Sequence, residues 1–361
     1  MKIVIFCGGY GTRMWPASRK SFPKQFYPLL NGQSFFQNTV ARFKKRVDPK
    51  DIIVSTEHRY RDLVIEQAPE IPVENIILEP ERRDNLGAIG LATALLHARF
   101  GNEVLFFSWA DHLIKLEDRF LDAVQAAAAY AQETGSPVSV DQQPKFPSVH
   151  NGWLKTGDVR ATSMGFSLHE IDSFIEKPTI HTARRLFKSS KYLLHTGYCA
   201  WRTDTLLGYY EKYAPQTFEI VDRIAKSYGK EGFETVLKEE YAKVEKQSID
   251  YGLFEKIPAH ERLTISADLG WQDAGTWQLM YESLATEPDS NLVMGEVETN
   301  FMHSEGNLIV GTKGKMIALI GVSDIAVIDT PDGILISKLS ETKDVKELFA
   351  HLEKENPKYI D

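Results

Sequence analysis

The sequence is poor in cysteine: its 361 residues include two, Cys7 and Cys199. Two cysteines supply no disulfide framework, so the fold must rest on a packed core. Cys7, at the end of a short apolar run, reads as a small buried hydrophobe and not as a nucleophile. Long apolar runs are missing too, and none approaches the roughly 18 residues that cross a bilayer. The first, Ile3 to Cys7, meets glycine at once and is too short for a signal-peptide core. Excess positive charge is also lacking. Against 42 Lys and Arg stand 50 Asp and Glu, a net charge of −8 that argues against a general nucleic-acid binder. Two familiar nucleotide loops are absent. No glycine precedes Lys-Ser or Lys-Thr as a Walker A loop needs, and a dinucleotide fingerprint begun at Gly9 would need glycine where Met14 stands. These absences leave a cytoplasmic globular protein with neither membrane nor nucleic acid as partner.

Bulk composition is ordinary, with 43% hydrophobic and 25% charged residues, and the length suits one large α/β domain plus a smaller unit. The unusual part is the start. Met1-Lys2-Ile3-Val4-Ile5-Phe6-Cys7 is a buried strand running into Gly8-Gly9-Tyr10-Gly11-Thr12-Arg13. Glycines at three of four positions let the backbone approach a ligand, and their N–H groups can converge on anionic oxygens. Arg13, Arg19, Lys20 and Lys24 gather cations in one stretch of an otherwise acidic chain. That is the layout of a triphosphate site, although a glycine turn alone can be a turn and nothing more.

Strand-like runs Ile3–Phe6, Ile52–Ser55, Ile76–Leu78 and Val104–Ser108 alternate with helical patterns over Phe35–Arg46, Tyr60–Gln67, Asn85–Phe100 and Phe120–Glu133. Such alternation predicts a Rossmann-like, mostly parallel sheet covered on both faces, with ligands beyond the carboxyl ends of its strands. Gln142–Gly157, with two prolines and two glycines, reads as a loop folding over the site. A β-rich portion follows, including Phe174–Lys177 and Tyr198–Arg202, before helices at Asp204–Tyr213, Thr217–Tyr228 and Phe233–Glu240. After about Glu287 short β-branched runs recur between glycine or Asp turns, which predicts a small all-β unit, a β-helix turn or two, closed by a helix over Val345–Lys354. The division is 1–286 and 287–361, with the second part leaning on the first or on another subunit.

The extended string Gly-Gly-x-Gly-Thr-Arg-x-Trp-Pro-x-Ser-Arg-Lys, followed by Pro23-Lys24-Gln25-Phe26, resembles the sugar-1-phosphate nucleotidyltransferases. Trp15-Pro16 and Pro23–Phe26 favour the mannose-1-phosphate guanylyltransferase branch, and the likeness spans nearly the whole chain. It implies transfer of GMP from GTP to mannose 1-phosphate with magnesium and a short left-handed β-helix at the end; the small size of that unit makes a homodimer through it one expected partnership. Positioning and charge neutralisation dominate such chemistry.

The resemblance assigns the nucleotide to Gly8, Gly9, Gly11, Thr12, Arg13 and Lys24, with Arg13 and Lys24 as the catalytic cations. A bidentate Arg and a point-charge Lys suit phosphate oxygens. Asp111, following the buried strand to Ser108, and Asp273, among small neighbours, match the family's metal-binding aspartates; a lone Asp after a strand is otherwise a turn residue or cap. His112 then supports Asp111, because magnesium seeks oxygen. Glu79 is the candidate guanine reader, one carboxylate facing N1–H and the exocyclic amine, against a charged turn with Asp84 capping the next helix. Phe174-Ile175-Glu176-Lys177-Pro178 matches the sugar-phosphate motif, Glu176 for hydroxyls and Lys177 for the phosphate. Asp250 either walls the same pocket or caps a helix. Gly152 and Gly197 preserve a close backbone approach to the sugar, although around them the family's Gly-Tyr-Gly-Tyr-Ile and Asn-Ser-Gly become His150-Asn151-Gly152-Trp153-Leu154 and His195-Thr196-Gly197. A different hexose or heptose 1-phosphate, or a non-catalytic nucleotide-sugar sensor, are the alternatives.

Overall fold

Runs of β-branched and aromatic residues form the first four strands: β1 (Lys2–Phe6), β2 (Ile52–Glu57), β3 (Ile76–Glu79) and β4 (Val104–Trp109). They lie parallel in the order β3-β2-β1-β4 of the computed structural model, which describes residues 1–361. Helices α1 (Phe35–Lys44), α2 (Arg61–Gln67) and α3 (Asp84–Phe100) connect them. The entry to α1 is a capping box, with Ser34 and Gln37 satisfying each other's backbone N–H. Alternation along β1 fills two cores. Ile3 and Ile5 pack with Phe36, Phe43 and Val124, while Val4 and Phe6 pack with Ile89, Leu95 and Ile224.

The next segment comprises β5 (His112–Ile114), α4 (Glu117–Thr134), β6 (Val138–Gln142), a long hairpin of β7 (Trp153–Ser163) and β8 (Phe166–Ile175), α5 (Ile180–Phe187), β9 (Tyr192–Leu194) and β10 (Cys199–Arg202). Helices α6 (Thr203–Tyr213), α7 (Pro215–Ser227), α8 (Phe233–Tyr241) and α9 (Ile249–Gly252) lead to β11 (Leu263–Ala267), β12 (Trp271–Asp273) and α10 (Trp277–Leu284). The parallel pairing expected from the sequence holds for β1 to β4 and for β6 with β11, but β10 and the β7–β8 hairpin run antiparallel to their neighbours. The ten-stranded sheet is therefore mixed. The loop expected over Gln142–Gly157 is shorter, because Trp153 to Gly157 already belong to β7. Buried Trp153 and Leu154 start that strand, and its polar remainder hides the pattern in the sequence.

From Leu292 the chain coils. Strands β13 (Leu292–Gly295), β15 (Leu308–Gly311) and β17 (Ile325–Thr330) stack in parallel register on one side, and β14 (Glu298–Met302) on β16 (Met316–Ile320) on another. Asn307 is fully buried inside the stack and bonds to Asn291 and to the carbonyl of Val322, so the turns lock through a polar ladder. Antiparallel β18 (Gly333–Lys338) and helix α11 (Val345–Glu355) end the stack. Its apolar face does lean on the rest: Leu308, Ile328 and Phe349 share one core with Met14, Trp15 and Trp277. Burying each such side chain contributes about 1.5–3 kcal/mol. No helix is long and apolar enough to cross a membrane.

Candidate active site

Parallel register brings the carboxyl ends of β1 and β4 together, Phe6 opposite Trp109, so the glycine loop and Asp111 emerge side by side. A cleft of about 460 Å³ opens there, lined by Gly8, Gly9, Gly11, Arg13 and Lys24 on one side and by Gly152, Glu176, Gly197 and Asp250 on the other. Asp111 and Asp273 line it between them.

The loop conformation depends on its glycines. Gly9 and Gly11 have φ of 87° and 63°, and a Cβ on Gly11 would lie 2.6 Å from Cγ of Lys24. Gly11 is glycine because the Lys24 stem crosses over it. Nothing lies within 4 Å of the Cβ positions of Gly8 and Gly9, so that stretch of backbone stands open. Residues of the Ser18 to Gln25 segment hold the loop. The Ser18 hydroxyl donates to the Tyr10 carbonyl and accepts from Lys24 N–H, and Gln25 Nε2 reaches the Gly9 carbonyl at 3.3 Å. Thr12 opens a short turn, Thr12–Met14, and is not part of the cleft lining.

Lys24 is buried, with Nζ 2.9 Å from Asp111 Oδ2. Burial alone would lower its pKa, but the carboxylates of Asp111 and Asp273 outweigh that and raise it above the ordinary lysine value. For Asp111 burial pushes upward, but the Lys24 charge and hydrogen bond, with His112 beside them, together outweigh it and bring the pKa down to about 2. Both groups are thus ionised at neutral pH. Asp273 comes alongside because β12 pairs with β5 so that Asp273 faces His112. A Cβ on Gly275 would sit 3.2 Å from Asp273 Oδ1 and 3.3 Å from Arg13 Nη2, so carboxylate and guanidinium flank that glycine. Burial holds the His112 pKa below its usual value, and its Nδ1 accepts from the Trp271 indole at 3.0 Å. A neutral, anchored imidazole fits a supporting role.

Two of the four cations gathered in the sequence are aimed elsewhere. Arg19 is buried against the C-terminus, donating to the carbonyls of Pro16 and Tyr359 and pairing with Asp332 at 2.7 Å. Lys20 pairs with Glu353 at 2.6 Å, and Trp15 Nε1 donates to the Tyr359 carbonyl. The loop's second half is therefore a clasp for the last residues of the chain.

The far wall is set by close approaches. A Cβ on Gly152 would meet Phe174 at 2.6 Å and Glu176 Oε2 at 2.8 Å; on Gly197, φ 76°, it would meet Trp109 Nε1 at 2.5 Å. Ser248, not Asp250, caps α9, and Asp250 accepts from the Ser248 hydroxyl at 2.7 Å while facing the cleft. Lys177 is outside the strand expected for it. It takes φ 42° before Pro178, is mostly exposed, and pairs with Glu176 at 2.7 Å without lining the cleft.

Glu79 does end β3, but its carboxylate is not presented to the cleft. It is buried, accepting from Tyr241 at 2.8 Å and from Ser55 at 3.4 Å. Burial pushes its pKa to about 7. A folded-state value above the unfolded one means the stabilisation is complete below about 4.5 and is lost as pH rises through 7. Glu79→Gln, which cannot ionise, should therefore gain stability relative to the parent between pH 5 and pH 8, on the order of 2 kcal/mol. Urea unfolding at both pH values checks this; parallel pH profiles would contradict it.

Sequence reasoning does not single out Asp141 and His195 as site residues. Asp141, at the end of β6, is fully buried and accepts from His195 Nδ1 at 2.9 Å. Only the pairing of β6 with β9 and β11 brings these groups together, and no spacing in the sequence signals it.

The profile of the family described as Nucleotidyl transferase matches residues 2–289, and that of the MannoseP isomerase/GMP-like beta-helix domain matches 302–352. The mannose-1-phosphate guanylyltransferase of Escherichia coli K12 is 30% identical over 354 residues, covering 97% of this chain and 73% of the relative. One from Salmonella typhimurium LT2 is 30% identical over 356 residues, covering 97% and 72%. The crystal structure of a Thermus thermophilus protein described as a mannose-1-phosphate geranyltransferase superposes with TM-score 0.87 at 25% identity over 98% of this chain and 99% of that one. With the glycine loop, its cations and its carboxylates in one cleft, the chain belongs to the nucleotidyl transferase family: it is a nucleotidyltransferase homologous to the mannose-1-phosphate guanylyltransferases and carries their β-helix domain.

Proposed function

We propose that the protein transfers GMP from GTP to mannose 1-phosphate, giving GDP-mannose and pyrophosphate. The observation that carries this reading is one cleft lined by Arg13 and Lys24 from the loop, by Asp111 and Asp273, and by Gly152, Glu176 and Asp250. Glycine N–H groups and Arg13 would receive the triphosphate, and Lys24 would meet charge developing on the phosphates. An oxygen of the sugar phosphate attacks the α-phosphorus, and the bond to pyrophosphate breaks. The attacking phosphate is ionised at neutral pH, so no general base is needed.

Asp111 and Asp273 offer only oxygen donors, His112 Nδ1 is engaged by Trp271, and no third carboxylate, imidazole or thiolate completes a cage. That donor set fits a hard ion which keeps phosphate and water ligands, as magnesium does. When bound there, magnesium supplies positive charge that orders the triphosphate and offsets the charge of the departing pyrophosphate. Lys24, now paired with Asp111, would be released toward the phosphates.

The altered segments around Gly152 and Gly197 favour a second reading in which the chemistry is the same and the sugar differs. Retention of both cations and both aspartates speaks against a silent sensor. Exposed Met302, Met316 and Ile320 on the β14–β16 face, with Ile334 and Ile336 on β18, support a homodimer through the C-terminal unit, which we place at 287–361 after a 1–286 catalytic portion. A cytoplasmic reaction is part of the same proposal.

The test is pyrophosphate release over a grid of nucleoside triphosphates and sugar 1-phosphates. GTP with mannose 1-phosphate should give the highest kcat/KM; another sugar ranking first selects the second reading. Lys177, exposed and paired with Glu176, can swing onto a sugar phosphate. Lys177→Ala should raise the sugar-phosphate KM about tenfold, the worth of one charge-assisted hydrogen bond. Calorimetric GTP affinity should stay the same, and a matching fall in it would remove Lys177 from the sugar side.

A further inference from the structure

His195 stands where the family pattern has asparagine, and its surroundings are built around an imidazole. Its Nδ1 lies 2.9 Å from Asp141, a fully buried carboxylate also fixed by the Thr264 hydroxyl at 2.7 Å, the Thr196 N–H at 3.1 Å and the Ser139 hydroxyl. The ring stacks on Phe254 at 5.4 Å, with Phe174 edge-on at 5.6 Å, so it cannot rotate freely. Its backbone N–H donates to the Gly152 carbonyl. With Nδ1–H committed to Asp141, Nε2 faces the cleft, 3.8 Å from Asp250 Oδ1. That gap is too long for a direct hydrogen bond and suits one hydroxyl oxygen, which accepts from Nε2–H and donates to the carboxylate.

We infer that His195 and Asp250 together read one hydroxyl of the sugar 1-phosphate, with Asp141 holding the imidazole in place, and so decide which sugar the cleft accepts. The inference rests on the sugar-phosphate reading of this cleft. Charged groups around the ring agree with a donating Nε2. Burial would lower the His195 pKa, but Asp141, Asp250 and Glu176 raise it above the usual value. The nearest cations are turned to other partners: Lys177 pairs with Glu176, and Arg262 stacks on Phe254 while donating to its carbonyl.

The experiment measures kcat/KM for mannose 1-phosphate and its mono-deoxy analogues with wild type, His195→Asn and Asp250→Asn. Wild type should reject one analogue by roughly 10- to 100-fold, the cost of leaving a buried hydrogen-bonding group without its partner. Both variants should lose that one discrimination and leave the GTP KM within about twofold, since no positioned phosphate contact is touched. The sugar KM of wild type should also rise with pH as the imidazolium deprotonates, a dependence absent from His195→Asn. An unchanged deoxy pattern in soluble, folded variants overturns the inference while the parent reading stands. If wild type releases no pyrophosphate with any hexose 1-phosphate, the parent reading falls and this inference with it. Imidazole nitrogen NMR of wild type, titrated with mannose 1-phosphate, needs no variant: an unmoved His195 Nε2 resonance equally overturns it.

Discussion

Asp111→Asn is expected to lower turnover by at least two orders of magnitude. Asp111 is ionised in the folded protein, held well below the ordinary carboxylate range by the Lys24 ammonium 2.9 Å away. Asparagine keeps the shape and removes the charge that would order the transferring phosphates, a loss comparable to other deletions of positioned charge at phosphate or metal sites. Asp273→Asn should act in the same direction, since that carboxylate enters the same cleft from β12. The two differ in stability. Asp111→Asn leaves buried Lys24 without its nearest counter-charge, which destabilises, whereas Asp273 is the weaker of the two carboxylates acting on Lys24. Initial rates at limiting and saturating magnesium, with melting curves alongside, check both. Near-normal rates for both variants at limiting magnesium would remove the two aspartates from the chemistry.

Arg13→Ala should cost roughly 100- to 1000-fold in turnover, the range for losing a preorganised charge that meets developing negative charge. Arg13 is the cleaner cation to remove. Its side chain is exposed over Gly275, so truncation should shift stability by less than about 0.5 kcal/mol. Lys24, buried against Gly11 and bound to Asp111, cannot be removed without disturbing both. Steady-state kcat together with an unfolding curve separates the two roles. A full rate in Arg13→Ala would leave the triphosphate to the glycine loop and Lys24 alone.

Much of the frame is legible in the chain because short, fully buried strands leave continuous apolar runs, as β1 and β4 do. The glycine loop is legible for a different reason: the left-handed backbone at Gly9 and Gly11 and the Lys24 side chain crossing Gly11 both favour glycine there. Direction is what the linear order hides. Arg13, Arg19, Lys20 and Lys24 look alike as a charge cluster, yet Arg19 and Lys20 are turned to Asp332 and Glu353, more than three hundred positions away. Glu79 sits at the expected strand end, but whether its carboxylate faces the cleft depends on Tyr241 arriving from α8. The sequence pattern puts Lys177 in a strand; the strand stops at Ile175, and Lys177 takes a left-handed backbone before Pro178. The Asp141–His195 pair arises only when β6 and β9 meet, a contact that neither segment announces.

The most direct test of the central reading follows the α-phosphate. With GTP labelled at the α-phosphorus, mannose 1-phosphate and magnesium, the label should appear in GDP-mannose and none in pyrophosphate, and its transfer should require the sugar phosphate. Label released as free GMP or GDP at the same rate with or without the sugar phosphate would contradict the account.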